Sequence, residues 1–181
     1  MNDLASKKAQ YDSQFSELID RSISSITYYV IDGLQDFFDY KEYHLLDYGV
    51  EFEFENGDAY YLIWDSQFVS FDLKFGCGSI QKEFNPESNY IRQIDVSKHQ
   101  LWRAKIGKKI KSIKSYWSNI NRDSWSEKIY YPQDLHITFE NGQSVIISTV
   151  LKDSETSTNY MSDHITIFFD PDFAKKNGVL K

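Results

Sequence analysis

The sequence predicts an α+β protein dominated by antiparallel sheet, with an N-terminal helix, a short C-terminal helix and two tandem pseudo-repeats of about 85 residues. Three observations lead there. Apolar and polar residues alternate in several short runs, as half-buried strands do. Two of those runs end in the same "FENG", and Asn-Gly is a strong hairpin signal because both turn positions tolerate positive φ. Aromatic residues make up 17 % of the chain while Gly and Pro are sparse, which excludes disorder and supplies a large core.

The elements follow in order. Residues 3–17 carry Leu4, Tyr11, Phe15 and, just beyond, Leu18 at spacings that make an apolar helical stripe. "SISSITYYVI" and "KIKSIKSYW" have Ile spacings that suit a helix but a β-branched and aromatic content that suits a strand, and the second reading is preferred. "VEFEFENGDAYYLI" at 50–63 and "LHITFENGQSVIIS" at 135–148 read as hairpins. Further strands are expected at 70–75, 89–96 and 163–169. "DPDFAKKNG" gives a helix capped by Asp170, started by Pro171 and ended by Gly178.

The duplication rests on two blocks. Phe15, Ile19, Ile23, Ser25, Ile26 and Tyr29 match Trp102, Ile106, Ile110, Ser112, Ile113 and Tyr116, all at an offset of 87. The hairpin blocks match at an offset of 85. Residues 1–97 and 98–181 are therefore expected to be two β-rich repeats packed as one unit, with no strong linker between them.

The net charge of −7 is unevenly spread. Residues 30–75 hold eleven Asp or Glu against Lys41 and Lys74, and residues 98–128 hold nine Lys or Arg against Asp123 and Glu127. Such poles either steer a charged partner or neutralise one another inside the fold. Cys77 is the sole cysteine, which excludes an internal disulfide or a multi-cysteine zinc site. Neither a signal-peptide core nor a membrane-length apolar run is present, so the cytoplasm is the expected compartment.

Glu51, Glu53 and Glu55 lie along one side of a strand, where like charges repel. Their counterparts are His136, Thr138 and Glu140, so the scaffold itself does not demand an acidic outer face. A two-residue Asn-Gly turn would put Glu53 opposite Tyr60 and Glu51 opposite Leu62, with Tyr60, Leu62 and Trp64 sharing the outer side. The expected partner-binding residues are Glu51, Glu53, Glu55 and Asp58 as charge partners and Tyr60 and Trp64 as anchors. The competing arrangement covers "YYLIW" on both faces and leaves the glutamates merely solvated.

Catalytic signatures are missing from the sequence. Cys77 has no local base, the four histidines show no ligand spacing, and no phosphate-binding loop or nucleophile elbow occurs. "SDHITIFFDPD" gathers Asp163, His164, Asp170 and Asp172 near the ends of one strand, but capping already accounts for Asp170. "RAKIGKKIKSIKSYW" mixes lysines with aromatics, yet it matches "LIDRSISSITYY", which has no lysine, so its charges decorate a structural element and nucleic acid binding is not expected. No catalytic residue, metal or cofactor is assigned.

The order "W…IGKKI…I…YW…YPQDLHITFENGQSVIIS…DHITIFF" resembles small β-rich bacterial proteins, several of which look like immunity proteins of contact-dependent or polymorphic toxin systems. The likeness covers residues 102–169 and, through the repeat, 15–65; it is a pattern of apolar positions and a turn, with no motif that carries functional residues over. It implies a cytoplasmic, non-catalytic inhibitor of a cognate toxin, plausible for a basic nuclease domain. The alternative expectation is an enzyme or small-ligand binder with a cleft between the repeats.

Overall fold

A computed structural model describes residues 4–31, 37–84, 90–121, 128–152, 159–160 and 162–180. After helix α1 (Leu4–Ser13) come strands β1 (Ile23–Ile31), β2 (Phe38–Asp39), β3 (Tyr43–Leu46), β4 (Gly49–Phe54), β5 (Ala59–Asp65), β6 (Asp72–Cys77) and β7 (Ile91–Asp95). The short α2 (Gln100–Arg103) leads to β8 (Ile110–Asn121), β9 (Lys128–Phe139), β10 (Ser144–Ser148), β11 (Val150–Leu151), β12 (Asn159–Tyr160), β13 (Ile165–Phe168) and α3 (Pro171–Lys176). Both ambiguous Ile-rich runs are strands, as expected. Among the described residues, no helix is long and apolar enough to cross a membrane.

Every recorded strand pair is antiparallel. The first sheet has the order β6-β5-β4-β1-β7 and the second β2-β3-β13-β10-β9-β8. Their inner faces share one core that includes Ile26, Val50, Phe52, Leu62, Leu135, Ile137, Val145, Ile147 and Ile167, capped by Tyr11, Phe15 and Trp102. On the outside, α3 covers the second sheet over Tyr43, Leu45, Ile146 and Phe168. A 3-10 turn at Ile80–Glu83 covers part of the first sheet, seating Ile80 on Tyr29, Tyr61 and Ile63. Strands β2 and β3, from the first half of the chain, pair in the second sheet.

The matched blocks occupy matching places. Ile23 faces Phe54 and Ile26 faces Phe52; at the same offsets Ile110 faces Phe139 and Ile113 faces Ile137, and both ladders break register after the first of these residues. Asp20 N–H donates to Ile110 O and Gly107 N–H to Ile23 O, each at 2.9 Å, around a bridge between Ser22 and Lys109. Asp20 and Gly107 share a left-handed backbone, at φ 64° and 70°. The likeness covers β1, β4 and β5 against β8, β9 and β10, together with the turns that lead into β1 and β8.

The hairpin differs from expectation by one residue. Phe54 N–H bonds Asp58 O at 2.9 Å and Gly57 N–H bonds Phe54 O at 2.8 Å, so the loop is Glu55-Asn56-Gly57, with Gly57 at φ 84°. Phe139, Gln143 and Gly142 repeat this pattern. A one-residue change in loop length exchanges the two faces of the following strand. A methyl group on Gly57 would meet nothing within 4 Å, so Gly57→Ala tests backbone strain alone. It should lower the unfolding free energy by about 1 kcal/mol in urea titrations.

Candidate functional site

The register places the predicted residues in several different settings. Phe52 is opposite Tyr60 and Val50 opposite Leu62, whereas Glu51 is opposite Tyr61 and Glu53 opposite Ala59. Tyr60 therefore points inward: it is 5 % exposed, stacked on Phe75 with ring centroids 5.6 Å apart and edge-on to Phe54. Trp64 is half-buried, donates Nε1–H to Asp47 O at 3.2 Å and packs on Phe71 and Tyr48. The outer placement of Tyr60, Leu62 and Trp64 is thus corrected, because the third loop residue turns the other side of β5 outward.

The carboxylates do not form one edge either. Glu51 is half-buried, and its Oε2 accepts Ile80 N–H at 2.7 Å and Tyr29 Oη–H at 3.3 Å, which ties the 3-10 turn to the sheet. Asp58, at the hairpin tip, accepts from Asn56 Nδ2 at 2.7 Å and from Arg21 at 2.9 Å; the Asn56 amide and then Arg21 hold its carboxyl below the usual range. Glu55 is exposed beside an open cleft of about 380 Å³ lined by Asp20, Arg21, Ser22, Phe54, Asn56 and Lys109, where the two matched hairpin units meet. Glu53 is exposed on the outer face and accepts Ser25 Oγ–H at 2.8 Å.

Asp95 joins Glu53 on that face. Thr27 of β1 is paired with Glu51 on one side and Asp95 on the other, so all three side chains share the outward direction. Asp95 is exposed, and Ser97, through Oγ at 2.6 Å and N at 2.9 Å, holds its carboxyl below the ordinary value. The outer side of β4, β1 and β7 thereby presents Glu53 and Asp95 around the hydroxyls of Ser25 and Thr27. "NYIRQIDV" identified β7 in the sequence, but the partner strand needed to align Asp95 with Glu53 lies far away along the chain.

The basic segment is separate. Lys108, Lys109, Lys111 and Lys114 are exposed around the start of the edge strand β8. Among the described residues, no salt bridge joins a Lys or Arg of 98–121 to a carboxylate of 37–75. The other candidates resolve locally. Cys77 is an exposed free thiol, Asp170 Oδ1 caps α3 at 2.8 and 3.1 Å, and His164 Nδ1 lies 2.9 Å from Asp163 Oδ1.

The fold also unites Asp39, His44 and His99, which are dispersed in sequence. His44 is buried, and that burial, followed by neighbouring His99, pushes its imidazole down to about 4. Periodicity could not reveal this cluster, because β2 and β3 are short and His99 belongs to the cap of α2.

The chain matches no protein-family model, no curated protein and no solved structure among those compared.

Proposed function

We propose that the chain is a non-catalytic protein-binding module, an immunity protein of the bacterial cytoplasm that neutralises a cognate toxin carrying a basic nuclease domain. The observation that supports this reading is the acidic outer face of β4, β1 and β7. Glu53 and Asp95 are exposed there, and no described lysine or arginine forms a salt bridge with either. Carboxylates arranged on a sheet face can occupy the positions that substrate phosphates take in a nuclease cleft, and exposed charge speeds the encounter. Glu53 and Asp95 act as the charge partners, Ser25 and Thr27 supply hydrogen-bonding groups, and Glu55 extends the acidic surface towards the hairpin tip. Glu51 supports the surface from within, Asp58 is exposed at the hairpin tip in its pair with Arg21, and Tyr60 and Trp64 support the surface from the core.

The test is co-expression with the product of any toxin-like reading frame adjoining this gene, comparing the native chain with Glu53→Lys/Asp95→Lys. Both positions are exposed, but the double variant also loses the Ser25 bond to Glu53 and the two Ser97 bonds to Asp95, so its folding stability is checked by urea titration before protection is compared. Association should slow by about tenfold or more and lose its salt dependence, and protection of growth should fail. Full protection by the double variant would reject the docking face, whereas failure of the native chain to protect would reject the toxin partner.

A further inference from the structure

We propose that Asp39, His44 and His99 form a site for a divalent transition metal ion of the zinc class, with three protein ligands and a coordination position left to solvent. The ligand atoms all lie within 4.8 Å of one another. His44 Nε2 is 3.2 Å from Asp39 Oδ1, His99 Nε2 is 3.1 Å from Asp39 Oδ2, and the imidazole centroids are 4.6 Å apart. Tetrahedral ligands about 2.1 Å from zinc stand roughly 3.4 Å from one another, so small side-chain movements suffice to close the shell.

His44 supplies an independent reason to expect an ion. Its side chain is fully buried, and Nε2 makes no well-formed hydrogen bond, with Asp39 Oδ1 3.2 Å away as its polar neighbour. Buried polar nitrogens are normally satisfied. That nitrogen and the Asp39 carboxylate face each other at a separation that two ligands of one cation can take up.

The surroundings hold the ring in place. Tyr28 Oη is 2.7 Å from His44 Nδ1 and accepts Trp102 Nε1–H at 2.5 Å, with all three residues buried. Ligation through Nε2 leaves the proton of His44 on Nδ1, where Tyr28 Oη can accept it, an outer-shell arrangement that orients metal-bound imidazoles. His99 gives up something in exchange: its Nδ1 now accepts Leu101 N–H at 3.3 Å, and ligation through Nε2 replaces that long cap. The strand pairing sets Asp39 directly across from His44, and Asp39 is the most exposed of the three, which leaves the remaining coordination position open to water. Two imidazoles and one carboxylate suit zinc and its neighbours; calcium and magnesium favour oxygen ligands throughout.

The experiment is titration of the chelator-treated full chain with Zn²⁺ by calorimetry and with Co²⁺ by visible absorption. One equivalent should bind with a Kd of about 1 µM or tighter, and the midpoint of thermal unfolding should rise. Because His44→Ala empties a fully buried position, the decisive variants are Asp39→Ala and His99→Ala, each expected to weaken binding at least tenfold. Tyr28→Phe should weaken it as well, and His164→Ala, at the exposed His164–Asp163 pair, should leave it unchanged. Absence of one-equivalent binding by the native chain, or equal binding by Asp39→Ala and His99→Ala, would overturn the site.

Discussion

Replacing Trp102 with alanine should lower the unfolding free energy by about 3–5 kcal/mol, the range for emptying a large aromatic site in a core. Trp102 has no exposed surface and stands at the closed end of the core, edge-on to Phe52 at 6.0 Å and to Phe169 at 5.0 Å. Its loss opens a cavity between elements that belong to both sheets and leaves Tyr28 Oη without the indole donor. The second effect adds to the first because the buried hydroxyl loses one of its two hydrogen bonds and keeps only the contact with His44 Nδ1. Phe15 provides the comparison: it is 2 % exposed at the matched position in the first block and packs on Tyr11 and Phe75, and its side chain has no polar group to lose. Phe15→Ala should fall at the lower end of the same range. Urea unfolding with an unchanged slope measures both; a Trp102→Ala cost below about 1 kcal/mol would mean that the core closes over the gap.

The contrast between these two residues shows how much of the fold local pattern carries. Phe15 and Trp102 were paired by sequence alone, and the flanking strands repeat the pairing register as well as the apolar positions. The Asn-Gly turns and the Asp170-Pro171 helix start were legible because each depends on neighbouring residues. Loop length was not legible, since "FENG" suits a turn of either two or three residues, and that one residue decides whether Tyr60 or Tyr61 faces the core. β3 was hidden for another reason: Tyr43, His44, Leu45 and Leu46 are all buried, so no alternation marks the strand. The acidic face was half visible. Glu53 stood out by its spacing, while Asp95 acquired its place only through Thr27, and Glu51 was diverted to the 3-10 turn by a backbone amide that sequence spacing does not reveal.

Lys105→Met should make the protein more stable at neutral pH, by about 2 kcal/mol, and should erase one component of its pH dependence. Lys105 is 5 % exposed, donates to Leu101 O at 2.7 Å and lies with Nζ 5.1 Å from the Phe169 ring centroid; among the described residues no carboxylate pairs with it. Burial lowers its amine from 10.5 to about 8. That gap corresponds to roughly 3 kcal/mol in favour of the unfolded state when the amine is charged in both states, and the lost hydrogen bond returns about 1 kcal/mol of it in the variant. The sign follows from proton binding. Below pH 8 both states hold the proton and the full cost is present; between pH 8 and 10.5 the unfolded chain holds more of it, so native stability rises with pH; above 10.5 the cost is gone. Methionine is similarly long and flexible and carries no charge, so it fills the same space without this dependence. The difference in unfolding free energy between variant and native chain cancels the titration of the other groups. It should fall from about 2 kcal/mol at pH 7 to zero or slightly below it by about pH 10.5, and a difference that stays flat across that interval would show that the amine keeps its ordinary affinity for the proton inside the fold.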